Sequence, residues 1–160
     1  MTPKSLLRHK AAISTMDELA NGSFQTVIDC PQTKDRSKVT RLVLCSGKVY
    51  YELAARVEEL GLDHIAVVRI EQHYPFPYDD FRSVLHGYDN VKEIIWCQEE
   101  PRNQGVWYSS QHRIRRVLME RGVDITYAGR EPSASPAAGY AALHARQQEQ
   151  LIKDALNLKD

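Results

Sequence analysis

Three short polar clusters in the sequence carry side chains that could bind a ligand or take part in a reaction. They are Ser46-Gly47-Lys48, Glu71-Gln72-His73 and Gln98-Glu99-Glu100, and each follows an apolar run of the length of a buried strand. In open α/β sheets, ligands collect outside the carboxyl ends of the strands, where these clusters would lie. The three clusters are therefore the candidates for a binding site.

The cluster Ser46-Gly47-Lys48 predicts an anion site, such as a cradle for a phosphate group. A glycine, a lysine and the free N–H groups at the start of a helix would surround the anion. The pattern is weaker than a P-loop, because only one glycine is present and the G-x-x-x-x-G-K-[ST] spacing is absent. The alternative is a tight turn with a solvated lysine.

Three basic residues near the N-terminus, Lys4, Arg8 and Lys10, are further candidates for this anion site. A helix N-terminus with two or three cations suits a ligand that carries several phosphate charges, because charge-assisted hydrogen bonds to phosphate are strong. The alternative is that these cations are solvated or pair with the acids at Glu71 and Glu99-Glu100.

The third cluster lies where a predicted strand turns into a predicted helix. Residues 93–98 form an apolar run, Pro101 prevents simple continuation of the strand, and Asn103 is a candidate helix cap. Glu99 and Glu100 would then lie near a helix N-terminus, where the helix dipole stabilises each charge by about 0.3–1 kcal/mol. The alternative role for these two acids is a contact with a ligand or another subunit.

Two aromatic residues follow this cluster and are candidates for the same interface. Trp107 and Tyr108 begin the predicted helix, and aromatic side chains are enriched in the apolar centre of protein interfaces. Together with Glu99 and Glu100 they form the predicted contact surface, although aromatic residues also commonly belong to the core.

The sequence contains no self-contained catalytic or metal-binding constellation. Its six histidines lack H-x-x-x-H spacing, and no serine lies in a G-x-S-x-G motif. Cys30, Cys45 and Cys97 are widely spaced, which predicts free buried thiols in a reducing cytoplasm. We therefore assign no catalytic residue and no metal ligand in this chain.

Length and composition predict a single domain that binds neither nucleic acid nor membrane. The chain has 160 residues, enough for a proper core, and 21 basic residues balance 21 acidic ones. It contains no apolar run of the roughly 20 residues that a membrane span requires. The N-terminus also lacks the apolar centre of a signal peptide.

The hydrophobic pattern predicts an α/β domain at residues 1–160 with a short helical lead-in at 1–22. The predicted strands are 24–29 at an edge, 41–45, 64–70, 93–98 and 124–128. The predicted helices are 3–9 with Thr2 as its cap, 16–20 with Thr15 as its cap, 48–60, one that begins near Asp79-Asp80, one that ends before Gly122, and one from Ser135-Pro136 to about Asn157. This alternation predicts a three-layer α/β/α fold with a mostly parallel sheet of about five strands.

Five long motifs then identify a known family. They are T-P-K-S-L-L-R-H-K, C-S-G-K-V-Y-Y-E, V-R-I-E-Q-H-Y-P-F-P, W-C-Q-E-E-P-R-N-Q-G-V-W and Y-A-G-R-E-P-S-A-S-P-A-A-G-Y. In this order they resemble the C-terminal region of the E1 component of 2-oxoglutarate dehydrogenase, over nearly the whole chain. Val106 departs from the small alanine expected before Trp107, and Arg102 is more polar than its counterpart in many relatives.

The resemblance implies the third domain of a longer, transketolase-like polypeptide, with one strand antiparallel to the rest of its sheet. In that superfamily the first two domains hold thiamine diphosphate and Mg²⁺ at a homodimer interface. The family reaction belongs to the tricarboxylic acid cycle: it decarboxylates 2-oxoglutarate and passes the succinyl group to lipoyl-E2, the dihydrolipoyl succinyltransferase. Motifs for binding thiamine diphosphate or substrate are absent from these 160 residues. The resemblance therefore implies that this domain alone does not bind the cofactor and is inactive in isolation.

Three functions remain open at this point. The first is a dimer-organising and regulatory domain of this oxidoreductase, with acetyl-CoA or AMP as an effector, located in a bacterial cytoplasm or a mitochondrial matrix. The second is a stand-alone regulatory module that binds a nucleotide or acyl-CoA near Lys48. The third is the homologous domain of a related E1 or of transketolase. The mass of the native polypeptide distinguishes the first from the second.

Overall fold

A five-stranded, mostly parallel sheet forms the centre of the protein. The structure is a computed structural model and describes residues 3–158. The strands are β1 (Val27–Ile28), β2 (Arg41–Cys45), β3 (Ile65–Ile70), β4 (Glu93–Gln98) and β5 (Ile125–Gly129). Their order across the sheet is β1-β3-β2-β4-β5, with β1 antiparallel to β3 and the other pairs parallel. The predicted sheet and its antiparallel edge strand, which is shorter than expected, are confirmed.

Helices cover both faces of this sheet. They are α1 (Met16–Asn21), which lies outside the layers, α2 (Val49–Glu59), α3 (Tyr78–Leu85), α4 (Trp107–Leu118) and α5 (Ala141–Leu156). Alternate residues along the strands divide the core in two. Leu44 and Trp96 pack on the side of α3 and α4, whereas Cys45 and Cys97 pack on the side of α2 and α5. The three-layer α/β/α fold is therefore confirmed.

The central strands are buried on both faces, as expected for parallel strands between two helical layers. Val67 and Val68 of β3 point to opposite layers, and each is at most 1% exposed. The adjacent β2 has no residue more exposed than Arg41, whose side chain donates hydrogen bonds to the carbonyls of Asp154 and Ala155 near the end of α5. This double coverage explains why the strands read as continuous apolar runs in the sequence.

Residues 3–26 form a lead-in that lies largely outside the core. It contains short 3-10 helices at Lys4–Leu6 and Lys10–Ala12, followed by α1, and none of these elements has a buried residue. Thr15 caps α1 as predicted, within a capping box completed by Glu18. The predicted cap at Thr2 lies outside the described residues.

The last helix begins later than the sequence pattern indicates. Residues 135–136 were expected to start it, but α5 begins at Ala141. The Ser135 hydroxyl donates to the carbonyl of Ala137, and nearby Ser133 exchanges hydrogen bonds with Asn103. These contacts hold the serine-rich segment as a loop, so the predicted start is wrong.

The cap of α4 also differs from the prediction. The Asn103 side chain forms two hydrogen bonds with the backbone of Ser133 and does not cap this helix. The N–H of Trp107, the first residue of α4, instead donates to the side-chain carbonyl of Gln98 at 3.2 Å. The preceding strand therefore supplies the group that satisfies this helix N-terminus.

Within residues 3–158, none of the helices is long and apolar enough to cross a membrane.

Candidate functional site at the carboxyl edge of the sheet

The predicted polar clusters meet where two neighbouring parallel strands end. The chain leaves β2 toward the layer of α2 and leaves β4 toward the opposite layer of α4. Adjacent strands whose connections diverge in this way open a crevice at the carboxyl edge, where ligands bind in open α/β sheets. The first cluster follows β2 at this edge and the third follows β4, and they meet through Lys48 and Glu99.

Carboxylates surround Lys48 in this crevice. Its Nζ lies 2.6 Å from Glu99 Oε1 and 2.9 Å from Glu52 Oε1. The side chains of Lys48 and Glu99 are only 28% and 21% exposed, so both groups are partly shielded from water. Burial by itself lowers the pKa of Lys48, but the hydrogen bonds to Glu99 and Glu52 outweigh it and the pKa is raised. Lys48 is therefore a firmly protonated cation with its charge balanced inside the domain.

Gln148 extends this pair of carboxylates into a network between the sheet and the helical layer of α2 and α5. Its amide group, on α5, donates to Glu52 Oε2 at 3.0 Å and to Glu99 Oε1 at 2.9 Å. Its carbonyl accepts a hydrogen bond from Arg130 Nη2 at 2.9 Å, just after β5. The network thereby links α2, β4, β5 and α5 through buried or partly buried polar groups. The buried Nε of Arg130 is the member without a hydrogen-bond partner within the described residues.

The first and second clusters also contact each other. The turn at Gly47 has a φ of 68°, which favours glycine, and its N–H donates to Glu71 Oε1 at 3.3 Å. Ser46 Oγ lies 3.2 Å from His73 Nε2. The start of α2 therefore already has a carboxylate neighbour, and this carboxylate occupies part of the space where an anion would approach.

His73 is held in a partly apolar environment. Its ring stands edge-on to Trp96 at a centroid distance of 6.0 Å, and its buried Nδ1 has no hydrogen-bond partner within the described part of the chain. Burial lowers the pKa of His73, although Glu71 and Glu100 act in the opposite direction. The imidazole is therefore biased toward its neutral form.

Gln98 organises the loop between β4 and α4. Its side chain is only 3% exposed, and its Nε2 faces the carbonyl oxygens of Glu100, Pro101 and Gln104 at 3.2, 3.3 and 2.9 Å. Its Oε1 accepts from the Trp96 indole at 3.0 Å and from the Trp107 N–H at 3.2 Å. One amide therefore satisfies the backbone of a loop that contains a proline and cannot satisfy itself.

Gly105 allows this arrangement by approaching the Gln98 amide closely. A Cβ at residue 105 would lie 3.0 Å from Nε2 and 3.1 Å from Oε1 of Gln98, and the φ of 63° also favours glycine. Residue 105 is therefore a position at which only glycine fits, because the Gln98 side chain occupies the space of a Cβ.

The cations of the N-terminal segment lie on the surface. Lys4, Arg8 and Lys10 are exposed and form no ion pair among residues 3–158. Their segment contacts the first turn of α2 through the rings of His9 and Tyr51, with centroids 5.3 Å apart. The segment therefore lies near the helix that begins at Val49, but its charges remain free whereas that of Lys48 is balanced.

The two aromatic residues assigned to an interface lie in different environments. Trp107 is 2% exposed and packs against the ring of Tyr127 at 5.2 Å, so it belongs to the core. Tyr108 is 58% exposed and Glu100 is also exposed. Of these three side chains, Tyr108 and Glu100 are available for a contact with another surface.

The cysteines have the properties predicted for structural thiols. Cys30, Cys45 and Cys97 are free and buried. Burial raises the pKa of Cys45 and of Cys97, which disfavours the reactive thiolate. Within residues 3–158, no group of three or more His, Cys, Asp or Glu side chains is placed to hold a metal ion.

Of these residues the sequence predicts Gln98, as part of the third polar cluster, but neither Gln148 nor Arg130. The sequence pattern indicates Gln98 because it is a polar residue at the end of an apolar strand, immediately before a proline-containing loop. No local pattern indicates Gln148 or Arg130, because their partners are distant in the sequence. The hydrogen bond from Gln148 to Glu99, for example, spans 49 residues.

Comparisons with known proteins agree on one family. A family model described as 2-oxoglutarate dehydrogenase C-terminal matches residues 13–156. The chain is 54% identical over 160 residues to the 2-oxoglutarate dehydrogenase E1 component of Azotobacter vinelandii, covering 99% of this chain and 17% of that protein. It is 50% identical over 157 residues to the protein of the same name from Haemophilus influenzae, covering 98% of this chain and 17% of that protein. The chain therefore spans about 17% of the length of these relatives.

Proposed function

Because the chain belongs to the 2-oxoglutarate dehydrogenase C-terminal family, we propose that it is the C-terminal domain of a longer E1 polypeptide. That polypeptide would decarboxylate 2-oxoglutarate and pass the succinyl group to the lipoyl arm of its E2 partner. The observation that carries this proposal is a continuous match over residues 13–156, combined with coverage of only 17% of each E1 relative. The proposed work of this domain is to organise the dimer and to host regulation.

The residues of this domain do not fit thiamine diphosphate and Mg²⁺. Lys48, a partly buried lysine at the carboxyl edge, is already balanced by Glu52 and Glu99. Within the described residues, no cluster of acidic, histidine or cysteine side chains is placed to hold a metal. A diphosphate needs unpaired donors, and a Mg²⁺ site needs oxygen ligands. We therefore assign both groups to the remainder of the polypeptide and derive no catalytic step in this domain.

The network at the carboxyl edge supports a structural role for this domain. Lys48, Glu99 and Gln148 connect elements from both ends of the chain through satisfied polar contacts. Such contacts make a rigid platform, because Glu99 would lose both Lys48 and Gln148 if the layer of α2 and α5 separated from the sheet. The exposed Tyr108 and Glu100 lie at the same edge and are the proposed contacts with another part of the E1 dimer.

A regulatory site for a phosphate-bearing effector is the second proposal. The exposed Lys4, Arg8 and Lys10 have no ion-pair partner within residues 3–158, and His9 anchors their segment against Tyr51. Unpaired cations near an aromatic ring suit the phosphates and the base of acetyl-CoA or AMP. In this proposal the first polar cluster lies beside the effector but does not bind it. The polar groups of Ser46, Gly47 and Lys48 already have partners within the protein.

Two measurements test the proposed function. The mass of the native polypeptide should be several times that of this chain, as the coverage of its relatives implies. The purified 160-residue chain, supplied with thiamine diphosphate and Mg²⁺, should show no turnover of 2-oxoglutarate, whereas the full-length protein should turn it over. A native polypeptide of only this length, or turnover by the chain alone, would refute the proposal in favour of the stand-alone module or an autonomous enzyme.

A further inference from the structure

The largest concentration of exposed apolar side chains lies in the lead-in. Ten large hydrophobic side chains are exposed within residues 3–158, and five of them fall between residues 7 and 24. These five, which we call the lead-in hydrophobics, are Leu7 (70% exposed), Ile13 (75%), Met16 (82%), Leu19 (71%) and Phe24 (71%). Single exposed apolar residues are normal, but a run of this kind marks an interaction surface.

The helix in this segment is too short to be stable without further contacts. α1 has six residues, none of them buried, and it lies among residues that are all exposed from Ile13 to Gln25. An isolated helix of fewer than about 12 residues is marginal in water, even with favourable sequence. Its capping box at Thr15 and Glu18 fixes where it starts but supplies no packing. The apolar face must therefore be covered by something other than the described domain.

The spacing of the apolar residues defines that face. Met16 and Leu19 are three residues apart and so lie on one side of α1, whereas Asp17 and Glu18 point elsewhere and Glu18 bonds back to Thr15. Ile13 precedes the helix and Phe24 follows it. An apolar stripe continued on both sides of a short helix is suited to lie along a complementary apolar groove.

We propose that the lead-in hydrophobics dock onto the part of the same polypeptide that precedes this domain. This inference rests on the proposed function, in which the chain is the C-terminal part of a longer E1 protein. The relatives are about six times longer than the matched region, which follows from a coverage of 17%. The family is defined as a C-terminal one, so most of that additional length lies before the lead-in.

Covalent continuity favours this occupant over a second copy of the domain. The lead-in joins directly to the preceding part of the polypeptide, so their contact is intramolecular and has an effective concentration in the millimolar range. The lead-in also touches its own domain at few places, such as the ring contact of His9 with Tyr51 and the hydrogen bond from Thr26 to Asp80. Its five apolar side chains are therefore left uncovered by this domain.

Hydrogen exchange of the full-length polypeptide tests the docking directly. Backbone amides of residues 13–24 should exchange about 100-fold more slowly than in an unstructured segment, because they are covered. The double substitution Met16→Ser with Leu19→Ser should abolish most of this protection. A peptide from β2 (Arg41–Cys45) should keep its slow exchange in the same variant, which shows that the domain remains folded.

Matched surface substitutions provide the control. Met119 is 79% exposed and Leu60 is 49% exposed, and neither lies in the lead-in. The double substitution Met119→Ser with Leu60→Ser should leave the protection of residues 13–24 unchanged. If the control removes the protection as well, the effect is general destabilisation and the proposed docking is refuted.

Three further results would overturn the inference. Unprotected amides at residues 13–24 in the unmutated full-length polypeptide would show that this segment is uncovered. Unchanged protection in the Met16→Ser/Leu19→Ser variant would show that these side chains do not hold it. Protection that disappears on dilution into monomers would assign the surface to a second copy. None of these results affects the proposed function, which fails separately if the native polypeptide is short or inactive on 2-oxoglutarate.

Discussion

The Nζ of Lys48 lies 2.6 Å from a carboxylate oxygen of Glu99, and this ion pair joins the start of α2 to the carboxyl end of β4. The two strands that lead to these residues are neighbours, but their helices lie in opposite layers. The pair therefore closes the crevice that the diverging connections would leave open. The feature that resembles an anion cradle in the sequence is thereby used to join the start of α2 to the loop that follows β4.

Removal of both members of this pair should destabilise the protein less than the sum of the two single removals. Lys48→Met leaves Glu99 partly buried with only Gln148 as its donor, and Glu99→Gln removes the closer of the two carboxylates from Lys48. We expect each single substitution to lower the free energy of unfolding by about 1–2 kcal/mol, with a coupling energy of about 1 kcal/mol in the double-mutant cycle. Urea unfolding of the four proteins measures this coupling.

A more exposed lysine provides the control for this cycle. Lys38 is 63% exposed and lies 3.9 Å from Asp35, so Lys38→Met should change the free energy of unfolding by less than about 0.5 kcal/mol. Strictly additive effects of Lys48→Met and Glu99→Gln would show that the pair contributes no coupling and that the crevice is closed by other contacts.

The amide of Gln98 gives the second prediction. Gln98→Glu keeps the shape of the side chain but replaces the donor that faces the carbonyls of Glu100, Pro101 and Gln104 with an acceptor. A buried acceptor against three carbonyl oxygens is unsatisfied and repelled, so the free energy of unfolding should fall by about 3 kcal/mol or more.

Thermal or urea unfolding measures the effect of Gln98→Glu, and Gln25→Glu on the exposed lead-in is the matched control. The control should remain within about 0.5 kcal/mol of the unmutated protein. Equal stability of the Gln98→Glu variant would mean that the loop reorganises freely and that Gln98 does not hold it.

The sequence predicts the strands well because each is a short apolar run with clear limits. β2 and β4 begin and end at the predicted residues, since Ser46 and Glu99 follow them with an abrupt change to polar character. β1 is confirmed as the antiparallel edge, but only two of the six residues predicted for it pair with β3. An edge strand pairs with only one neighbour, so the hydrophobic pattern of the sequence is a poor predictor of where the strand begins and ends.

The errors at helix starts have a tertiary cause. Ser135-Pro136 and Asn103 each have the residue types of a helix start, but Asn103 bonds to Ser133 across the two loops. Local signals are overridden when a distant partner offers a better hydrogen bond. The partners of Lys48 illustrate the same limit: Glu52 is predictable one turn along α2, whereas Glu99 depends on the order of the strands.

His73 gives a prediction about pH. Burial lowers its pKa in the folded protein below the ordinary value of 6.5, so the unfolded chain binds more protons below that pH. The stability contributed by neutral His73 is therefore present above pH 6.5 and is lost as the pH falls through that value toward the lower folded pKa. The free energy of unfolding should decrease more between about pH 7.5 and about pH 5.5 in the unmutated protein than in His73→Gln.

Urea unfolding at the two pH values tests this difference, with the exposed His86→Gln as the control. The control should keep the pH dependence of the unmutated protein. NMR titration of the His73 ring should give a pKa below 6.5 directly. A measured pKa above 6.5 would show that Glu71 and Glu100 outweigh burial, and the predicted sign would then be wrong.

The sequence assigns Lys4, Arg8 and Lys48 to one anion site, but the structure divides them into unpaired and paired cations. Lys4 and Arg8 are exposed without an ion-pair partner in the described residues, whereas Lys48 has two carboxylate partners. Each charge-assisted bond to phosphate is worth about 1.5–3 kcal/mol. In the full-length polypeptide, Lys4→Ala with Arg8→Ala should therefore weaken the proposed binding of acetyl-CoA or AMP about tenfold or more. Lys48→Ala should leave the affinities equal to those of the unmutated enzyme within about 0.3 kcal/mol, since its charge is already balanced.

Isothermal titration calorimetry of the full-length variants decides between these cations. Lys38→Ala, which removes an exposed lysine paired with Asp35, is the control and should not change the affinity. A loss of affinity in Lys48→Ala as large as that in the Lys4 and Arg8 variant would show that Lys48 leaves Glu99 to bind the phosphate. Equal affinities in every variant would show that neither Lys4 with Arg8 nor Lys48 contributes binding energy, and the effector site proposed on this segment would be refuted.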